Sequence, residues 1–257
     1  MSVPSLATTL RSALERVAEP ERAAPMQAYA KSSMPCLGVS AVPLRKVCRE
    51  VFVALELPTA AAWRRAVLGL WRGARFREER YCAIELTGVR RFDRFQDMAA
   101  LPMYEEMIVT GAWWDLVDGI ASHRLGVLLR RFPREMRREM LAWSRSDDLW
   151  KRRSAILCQL TFKEDTDLGL LYAVIEPALS SKEFFLRKAI GWALRQHAWT
   201  DPKEVRRYVR AHAKELSPLS RREALKNVGS RGRGERLRAS GRVQSSRFSR
   251  AKPSTSS

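Results

Sequence analysis

The chain has 257 residues, 46% of them hydrophobic, which predicts a folded protein of one large or two small domains with a sizeable core. Lysine and arginine number 47 against 28 acidic residues, a formal net charge of +19. That surplus favours a polyanionic partner, most often nucleic acid and less often an anionic membrane surface, over a merely solubilising basic surface. No apolar run approaches the length of a membrane span and no secretory signal is recognisable, so a membrane or exported protein is not expected.

Cysteine and histidine residues are few and widely separated. No two cysteines form a CxxC pair, and the histidines do not cluster. The sequence therefore predicts neither a structural zinc site nor a disulfide framework, and it calls for no cofactor. Scattered thiols fit a reducing cytoplasm. The residues concerned are Cys36, Cys48, Cys82, Cys158, His123, His197 and His212.

Helix-favouring residues dominate the chain from end to end, and strand-like alternation is absent, which predicts an all-α fold. Breaks recur at short intervals, in chain order at Pro20, Pro58, Pro102, Pro133, Pro177, Pro202 and Pro218. Three segments have the chemistry of a helix start, with a Ser, Thr or Asp cap before the first turn. They are SRSDD before Leu149, TDPKEV around Pro202 and SPLSRRE around Pro218.

A small residue followed by a branched aliphatic residue recurs along the chain at steps of 36, 36, 34 and 35 residues. A period of this size with two helices per unit is typical of an α-solenoid, in which the small residue lets a neighbouring helix approach. The tetratricopeptide signature is missing, so HEAT-like repeats are favoured; the alternative is chance recurrence in an Ala-rich protein. The pairs are Ala83-Ile84, Gly119-Ile120, Ala155-Ile156, Ala189-Ile190 and Ala224-Leu225.

The charge is distributed over two regions. Residues 229–257 hold seven Arg, one Lys and one Glu, which is +7, so residues 1–228 carry the remaining +12 of the +19. We expect residues 1–228 to form the helical-repeat domain and 229–257 to be a basic, disordered tail that adds non-specific affinity for DNA or is idle. The folded part is thus basic in its own right.

Several functional residue types share one side of the predicted helices. Counting from the small residue of each repeat, at ~100° per residue, places them opposite the packed side. Each alone has an ordinary structural explanation, but together on a basic protein they favour a binding groove, which in a curved solenoid predicts a basic concave surface. The residues on this arc are Trp114, Asp118, Arg153, Lys188, Trp192 and Arg195.

The segment GAWWDLVDGI, residues 111–120, combines tryptophan and aspartate in one helix. Trp114 and Asp118 are four residues apart and therefore lie one above the other, facing the groove. Trp113 takes the opposite side and is predicted to be core, while Asp115 is expected to cap or brace a neighbouring helix. Arg153 has mostly apolar neighbours on its own helix, so it needs either a buried acid or a ligand phosphate.

Three segments in order, AWWDLVDGI, LWKRRSAILCQL and FFLRKAIGWALRQ, resemble the signature segments of the AlkD-type DNA alkylation repair enzymes, which are HEAT-like DNA glycosylases. MQAYAKSSMPCLGVSAVPLRKV is similar to their N-terminal portion, so the resemblance runs from about residue 20 to residue 228. The basic tail departs from the family pattern.

The resemblance implies an activity and a site. The activity is hydrolysis of the N-glycosidic bond of cationic alkylated purines, such as N3-methyladenine and N7-methylguanine, in double-stranded DNA, without a deep pocket for a flipped base. By the matching motifs Asp118 is the catalytic residue, and Trp114, Trp192 and Arg153 complete the site. Tyr29 corresponds to a tyrosine near the lesion.

Other functions remain open from the sequence alone. A HEAT-like DNA-binding paralogue without activity would share the fold and the charge. The carboxylate of Asp118 argues against it, because it would repel the DNA backbone and a protein that only binds DNA has no use for it. A protein-interaction scaffold would be indifferent to Asp118, and an RNA adaptor has the same charge signature. Nothing in the sequence indicates an oligomer, so a monomer is expected.

Overall fold

The computed structural model describes residues 3–228, and every regular element within that range is helical. The predicted tail, residues 229–257, lies outside the described residues. The α-helices are α1 Val3–Glu15, α2 Pro20–Tyr29, α3 Ala41–Val53, α4 Ala60–Arg72, α5 Arg77–Leu86, α6 Leu101–Gly111, α7 Trp114–Gly119, α8 Gly126–Arg131, α9 Pro133–Trp143, α10 Leu149–Leu157, α11 Leu168–Ile175, α12 Phe184–His197, α13 Pro202–Ala211 and α14 Pro218–Leu225. A π-helical turn, Ile120–Leu125, joins α7 to α8 without a break.

The helices stack as successive pairs, which confirms the predicted helical-repeat solenoid. The second helices of the pairs contact one another in chain order: α5 packs on α7, α7 on α10, α10 on α12, and α12 on α14. The first helices form the other layer, in which α4 contacts α6 and α9 contacts α11. Within residues 3–228, no helix is both long and apolar enough to cross a bilayer.

The three predicted helix starts are confirmed by their caps. The carboxylate of Asp148 accepts backbone N–H bonds from the first turn of α10, and Asp201 does the same for α13. The hydroxyl of Ser217 accepts the N–H of Ser220 at the start of α14. Such bonds satisfy backbone donors that the first turn leaves without partners, which is why the local sequence was sufficient to locate these starts.

The predicted small residues are buried in four of the five repeats, and the fifth, Gly119, does not have the predicted role. Ala83, Ala155, Ala189 and Ala224 are fully buried. Gly119 is only half-buried, and a Cβ atom there would meet nothing within 4 Å, so it does not admit a neighbouring helix. In the last pair Leu225 is 40% exposed and fills no gap, because the described solenoid ends at this helix.

One close approach of two helices lies at a glycine outside the repeat pattern. A Cβ atom on Gly191 of α12 would lie 2.5 Å from Cβ of Glu223 and 2.9 Å from the carbonyl oxygen of Ser220, both on α14. Real side chains do not approach so closely, so only glycine permits this packing. The contact positions α14 directly behind the part of α12 that faces the groove described below.

Candidate functional site

One groove contains every residue that was predicted for the site. It has a volume of about 880 Å³, and four segments supply its walls: residues 28–31 at the end of α2, residues 113–118 with most of α7, the middle of α10 and most of α12. All seven predicted site residues line it, namely Tyr29, Trp114, Asp118, Arg153, Lys188, Trp192 and Arg195. The expected convergence of an acid, two indoles and a guanidinium on one surface is therefore observed.

Asp118 and Arg153 form a buried ion pair at the base of this groove. Nε and Nη2 of Arg153 each donate a hydrogen bond of 2.7 Å to a different carboxylate oxygen of Asp118. Nη1 of Arg153 donates to the carbonyl oxygen of Phe185 at 2.6 Å. Arg153 is 3% exposed and Asp118 is 9% exposed. Of the two partners expected for Arg153, a buried acid or a phosphate, the structure contains the buried acid, and this contact orients Asp118.

Two opposing effects set the protonation of Asp118. Burial raises the pKa of its carboxyl above the usual value, because a charge is costly to remove from water. The hydrogen bonds and positive charge of Arg153 act in the other direction, and the nearby Asp115 adds a smaller upward contribution. The paired geometry leaves lone pairs free on both carboxylate oxygens, so the group can still accept a hydrogen bond from a water in the groove.

Aromatic rings form much of the remaining wall. The ring of Tyr29, which is 74% exposed, meets that of Trp114 edge to face, with centroids 5.9 Å apart. Trp113 packs against Phe185 with a centroid distance of 5.1 Å. The prediction that Trp113 belongs wholly to the core is wrong, because it is half-buried, lines the groove and has the ammonium of Lys31 5.8 Å from its ring centroid. Paired aromatic faces of this kind favour cationic and planar ligands.

Asp115 braces a neighbouring helix, as predicted. Its carboxylate accepts hydrogen bonds of 2.5 and 3.0 Å from Arg77 of α5, and another from the hydroxyl of Tyr81. Arg77 also donates to the hydroxyl of Ser32 at 3.1 Å. The chain segment that carries Tyr29 is thereby tied, through α5, to the helix that carries Trp114.

The polar start of α5 was missed in the sequence. Glu78 is fully buried, and its carboxylate accepts the backbone N–H groups of residues 37–39 at 2.9–3.1 Å. Glu79 binds the side chain of Arg11 and the backbone of Arg75. The run REER at residues 77–80 reads as an ordinary solvated helix start, and no local pattern distinguishes it from one. Residues 37–39 lie 39 to 41 residues from Glu78, and Arg11 lies 68 residues from Glu79, so only the tertiary structure reveals the role.

The two groove cations on α12 share one buried acid. Glu223 of α14 accepts a hydrogen bond from Lys188 and another from Arg195, both of 2.9 Å. Lys226 contributes a third at 2.6 Å. Hydrogen bonds from Lys226 and Lys188 hold the pKa of Glu223 at about 2 against the opposing effect of burial. Lys188 and Arg195 thus line the groove as predicted, but they are paired.

Five further residues line the groove that the sequence did not single out as site residues: Ala28, Lys31, Trp113, Phe184 and Phe185. The sequence features that could have indicated Lys31, Phe184 and Phe185 are the Tyr-Ala-Lys segment at residues 29–31 and the two adjacent phenylalanines at the start of a helix. Phe184 is 56% exposed, which for so large an apolar side chain indicates a contact surface. Within residues 3–228, no group of three His, Cys, Asp or Glu side chains could hold a metal ion.

Comparisons with known proteins agree with this geometry. Among curated proteins, none matches this sequence. A solved structure described as a predicted DNA alkylation repair enzyme from Enterococcus faecalis is 27% identical, with a TM-score of 0.65, covering 81% of this chain and 95% of that one. The family model of the DNA alkylation repair enzymes matches residues 10–228, which include the whole groove. The chain therefore belongs to the DNA alkylation repair enzyme family.

Proposed function

We propose that the protein is a DNA glycosylase that hydrolyses the N-glycosidic bond of cationic alkylated purines in double-stranded DNA, as a first step of base excision repair. The observation that supports this most strongly is the carboxylate of Asp118, held by two 2.7 Å hydrogen bonds in a groove whose other charged lining is entirely cationic. A groove that served only to bind a polyanion would gain nothing from that carboxylate.

The chemistry follows from the charge of the substrate. Alkylation of a ring nitrogen makes the purine a cationic leaving group, so its departure leaves positive charge on the deoxyribose. A fixed carboxylate beside that sugar stabilises the oxocarbenium-like state electrostatically. The free lone pairs of Asp118 can also orient a water for attack on the sugar and accept its proton. The water supplies the hydroxyl to the sugar, and the neutral methylated base leaves with the bonding electrons.

The other groove residues have complementary roles in this proposal. The faces of Trp114 and Trp192 attract a cationic base and pack against the sugar. Tyr29 closes the aromatic wall beside Trp114. Lys188 and Arg195 attract the DNA phosphates electrostatically. Arg153 keeps the carboxylate of Asp118 in one orientation. An open groove of this kind is consistent with a protein that contacts the damaged nucleotide through the DNA backbone and does not enclose a flipped base.

The cysteines argue against the other protein-only route, direct transfer of the alkyl group to a thiolate. All four described cysteines are buried. Burial raises the pKa of Cys36 to about 11 and that of Cys158 to about 12. It also contributes to the raised pKa of Cys82, after a hydrogen bond with Cys48. Because the thiolate is the nucleophile, thiols held neutral at physiological pH are poor alkyl acceptors.

We also infer that the protein acts as a monomer on double-stranded DNA in a reducing cytoplasm. The groove is completed by helices of one chain, which supports action without a partner subunit. The four buried free cysteines suit a reducing compartment. The second candidate is a DNA-binding paralogue without activity, and the full pairing of Asp118 with Arg153 is the observation that favours it.

The test is incubation of the purified protein with duplex DNA that carries N7-methylguanine and N3-methyladenine, followed by chromatographic identification of the freed bases. We expect both methylated purines to appear intact and an abasic site to remain in the strand. Retention of DNA without any freed base would favour the paralogue. Recovery of unmethylated guanine in the strand would indicate direct dealkylation instead.

A further inference from the structure

The close approach of α14 to α12 places an acid midway between two groove cations. Lys188 lies three residues before Gly191 and Arg195 four residues after it, so both project from the same face of α12 as the glycine. Glu223 packs on Gly191 itself, where a Cβ atom would be 2.5 Å away. Its carboxylate can therefore reach both cations at once, and Trp192 is adjacent to this point in the sequence.

The contacts make one carboxylate the shared partner of three cations. One oxygen of Glu223 binds Lys188 at 2.9 Å and Lys226 at 2.6 Å, and the other binds Arg195 at 2.9 Å. The side chain of Glu223 is 4% exposed, whereas those of the three cations are 27–48% exposed. The acid is thus buried behind the cations, and the group presents a net charge of +2 toward solvent.

Such an arrangement prepares cations for an anion that arrives from the groove side. Long flexible side chains lose rotamer entropy when they bind a ligand, and a buried partner that already restrains them removes part of that loss. The partner must remain ionised to do so. With a pKa of about 2, Glu223 carries its charge throughout the physiological range.

We propose that Glu223 is a positioning residue for the DNA backbone, which holds Lys188 and Arg195 beside Trp192, and that Lys226 is a third phosphate ligand of the same site. The ligand is a phosphodiester group of duplex DNA. The proposal rests on the DNA-binding groove of the proposed function, but it does not depend on base release.

The chain offers a matched control for a test of this proposal. Glu204 of α13 is also paired, with Arg207 at 2.6 Å and Tyr172 at 2.5 Å, and has a pKa of about 2. Neither of these partners of Glu204 lines the groove, whereas Lys188 and Arg195 do. Glu204→Gln and Glu223→Gln therefore make the same change of charge at a paired acid, in two places that differ in their relation to the groove.

The experiment measures the affinity for undamaged duplex DNA as a function of salt. Glu223→Gln loses the restraint on the cations but also removes a negative charge from the site, and at low salt the second effect is the larger. We therefore expect about five-fold tighter binding at low salt and a log–log salt slope steeper by about one. Release of methylated bases at saturating protein should nevertheless fall about ten-fold, because the cations are no longer held in place. Glu204→Gln should match the wild type in all three quantities.

A purely structural role for Glu223 predicts a lower melting temperature with an unchanged salt slope, and that result would overturn the proposal. Lys226→Met is the second variant, because this exposed side chain can be removed while Lys188 and Arg195 still pair with Glu223; it should make the slope shallower by about one. An unchanged slope in Lys226→Met would remove Lys226 from the site. Wild-type protein that binds DNA but frees no base would refute the proposed function and leave this inference standing, whereas failure to bind DNA would overturn both.

Discussion

Asp118 and Arg153, residues from successive repeats, meet in a bidentate ion pair with both hydrogen bonds at 2.7 Å. The pair lies at the base of the groove and is almost fully buried. It links the catalytic proposal to the stability of the fold, because removing either partner leaves the other charge in a poorly solvated place.

Arg153→Met should destabilise the protein by about 3–5 kcal/mol, since it leaves the carboxylate of Asp118 buried without its partner. The free energy of unfolding from urea titrations measures this change. Adding Asp118→Asn to the Arg153→Met variant should restore a substantial part of the loss, because the uncompensated charge is then gone. Additive losses in the double variant would show that the pair is not coupled.

Base release should depend on pH through Asp118. The ionised carboxylate is the active form, so the rate should rise with pH and reach a plateau. Because burial raises the pKa of Asp118, the inflection should lie above that of an ordinary aspartate. Arg153→Met removes the contact that opposes this shift and should move the inflection to still higher pH. Single-turnover rates between pH 4 and 8 test this, and a flat profile would exclude Asp118 as the titrating group.

Gly191→Ala should destabilise the fold by about 1–3 kcal/mol, because its Cβ atom would overlap that of Glu223 and force α14 away from α12. Gly119→Ala is the matched control, since a Cβ atom there meets nothing within 4 Å. In that helical position alanine should stabilise by about 0.5–1 kcal/mol. Thermal melts of the two variants should therefore shift in opposite directions, and a shared direction would contradict the packing described here.

His197 should make the protein less stable in mild acid. It is 8% exposed, neither ring nitrogen has a partner within the described residues, and burial lowers its pKa below the usual 6.5. At a pH between the folded and unfolded pKa values, His197 is therefore mostly protonated in the unfolded chain and mostly neutral in the folded chain. Its contribution to stability is fully present above pH 6.5 and declines as the pH falls from 6.5 toward the folded pKa. His197→Phe should flatten this part of the stability profile, and an unchanged profile would assign the loss to other groups.

The features that the sequence predicted correctly are those with local causes. The caps at Asp148, Asp201 and Ser217 depend on residues within three positions of each other, and the shared arc of Trp114 and Asp118 follows from helical periodicity. The roles that it missed depend on contacts between distant segments. Glu223 meets Lys188 across 35 residues, and nothing in its own neighbourhood distinguishes it from a solvated acid.

For Arg153 the sequence predicted the kind of partner, and the structure identified which partner it is. The sequence indicated that this side chain needs an acid or a phosphate, but it could not choose between them, because Asp118 lies 35 residues away. The position of Gly191 shows the reverse error. A repeat period of small residues pointed to Gly119 as a close contact, whereas it is Gly191, outside that period, where the packing of α14 leaves no room for a Cβ atom.

The central claim, that the carboxylate of Asp118 drives base release, is tested most directly by single-turnover release of N7-methylguanine from duplex DNA by Asp118→Asn. The amide keeps the shape of the side chain and can still accept one hydrogen bond from Arg153, so the variant should lose stability but remain folded and able to bind DNA at 25 °C. Loss of the negative charge should slow release at least about 100-fold. Release at the wild-type rate, in a variant that folds and binds normally, would contradict the account.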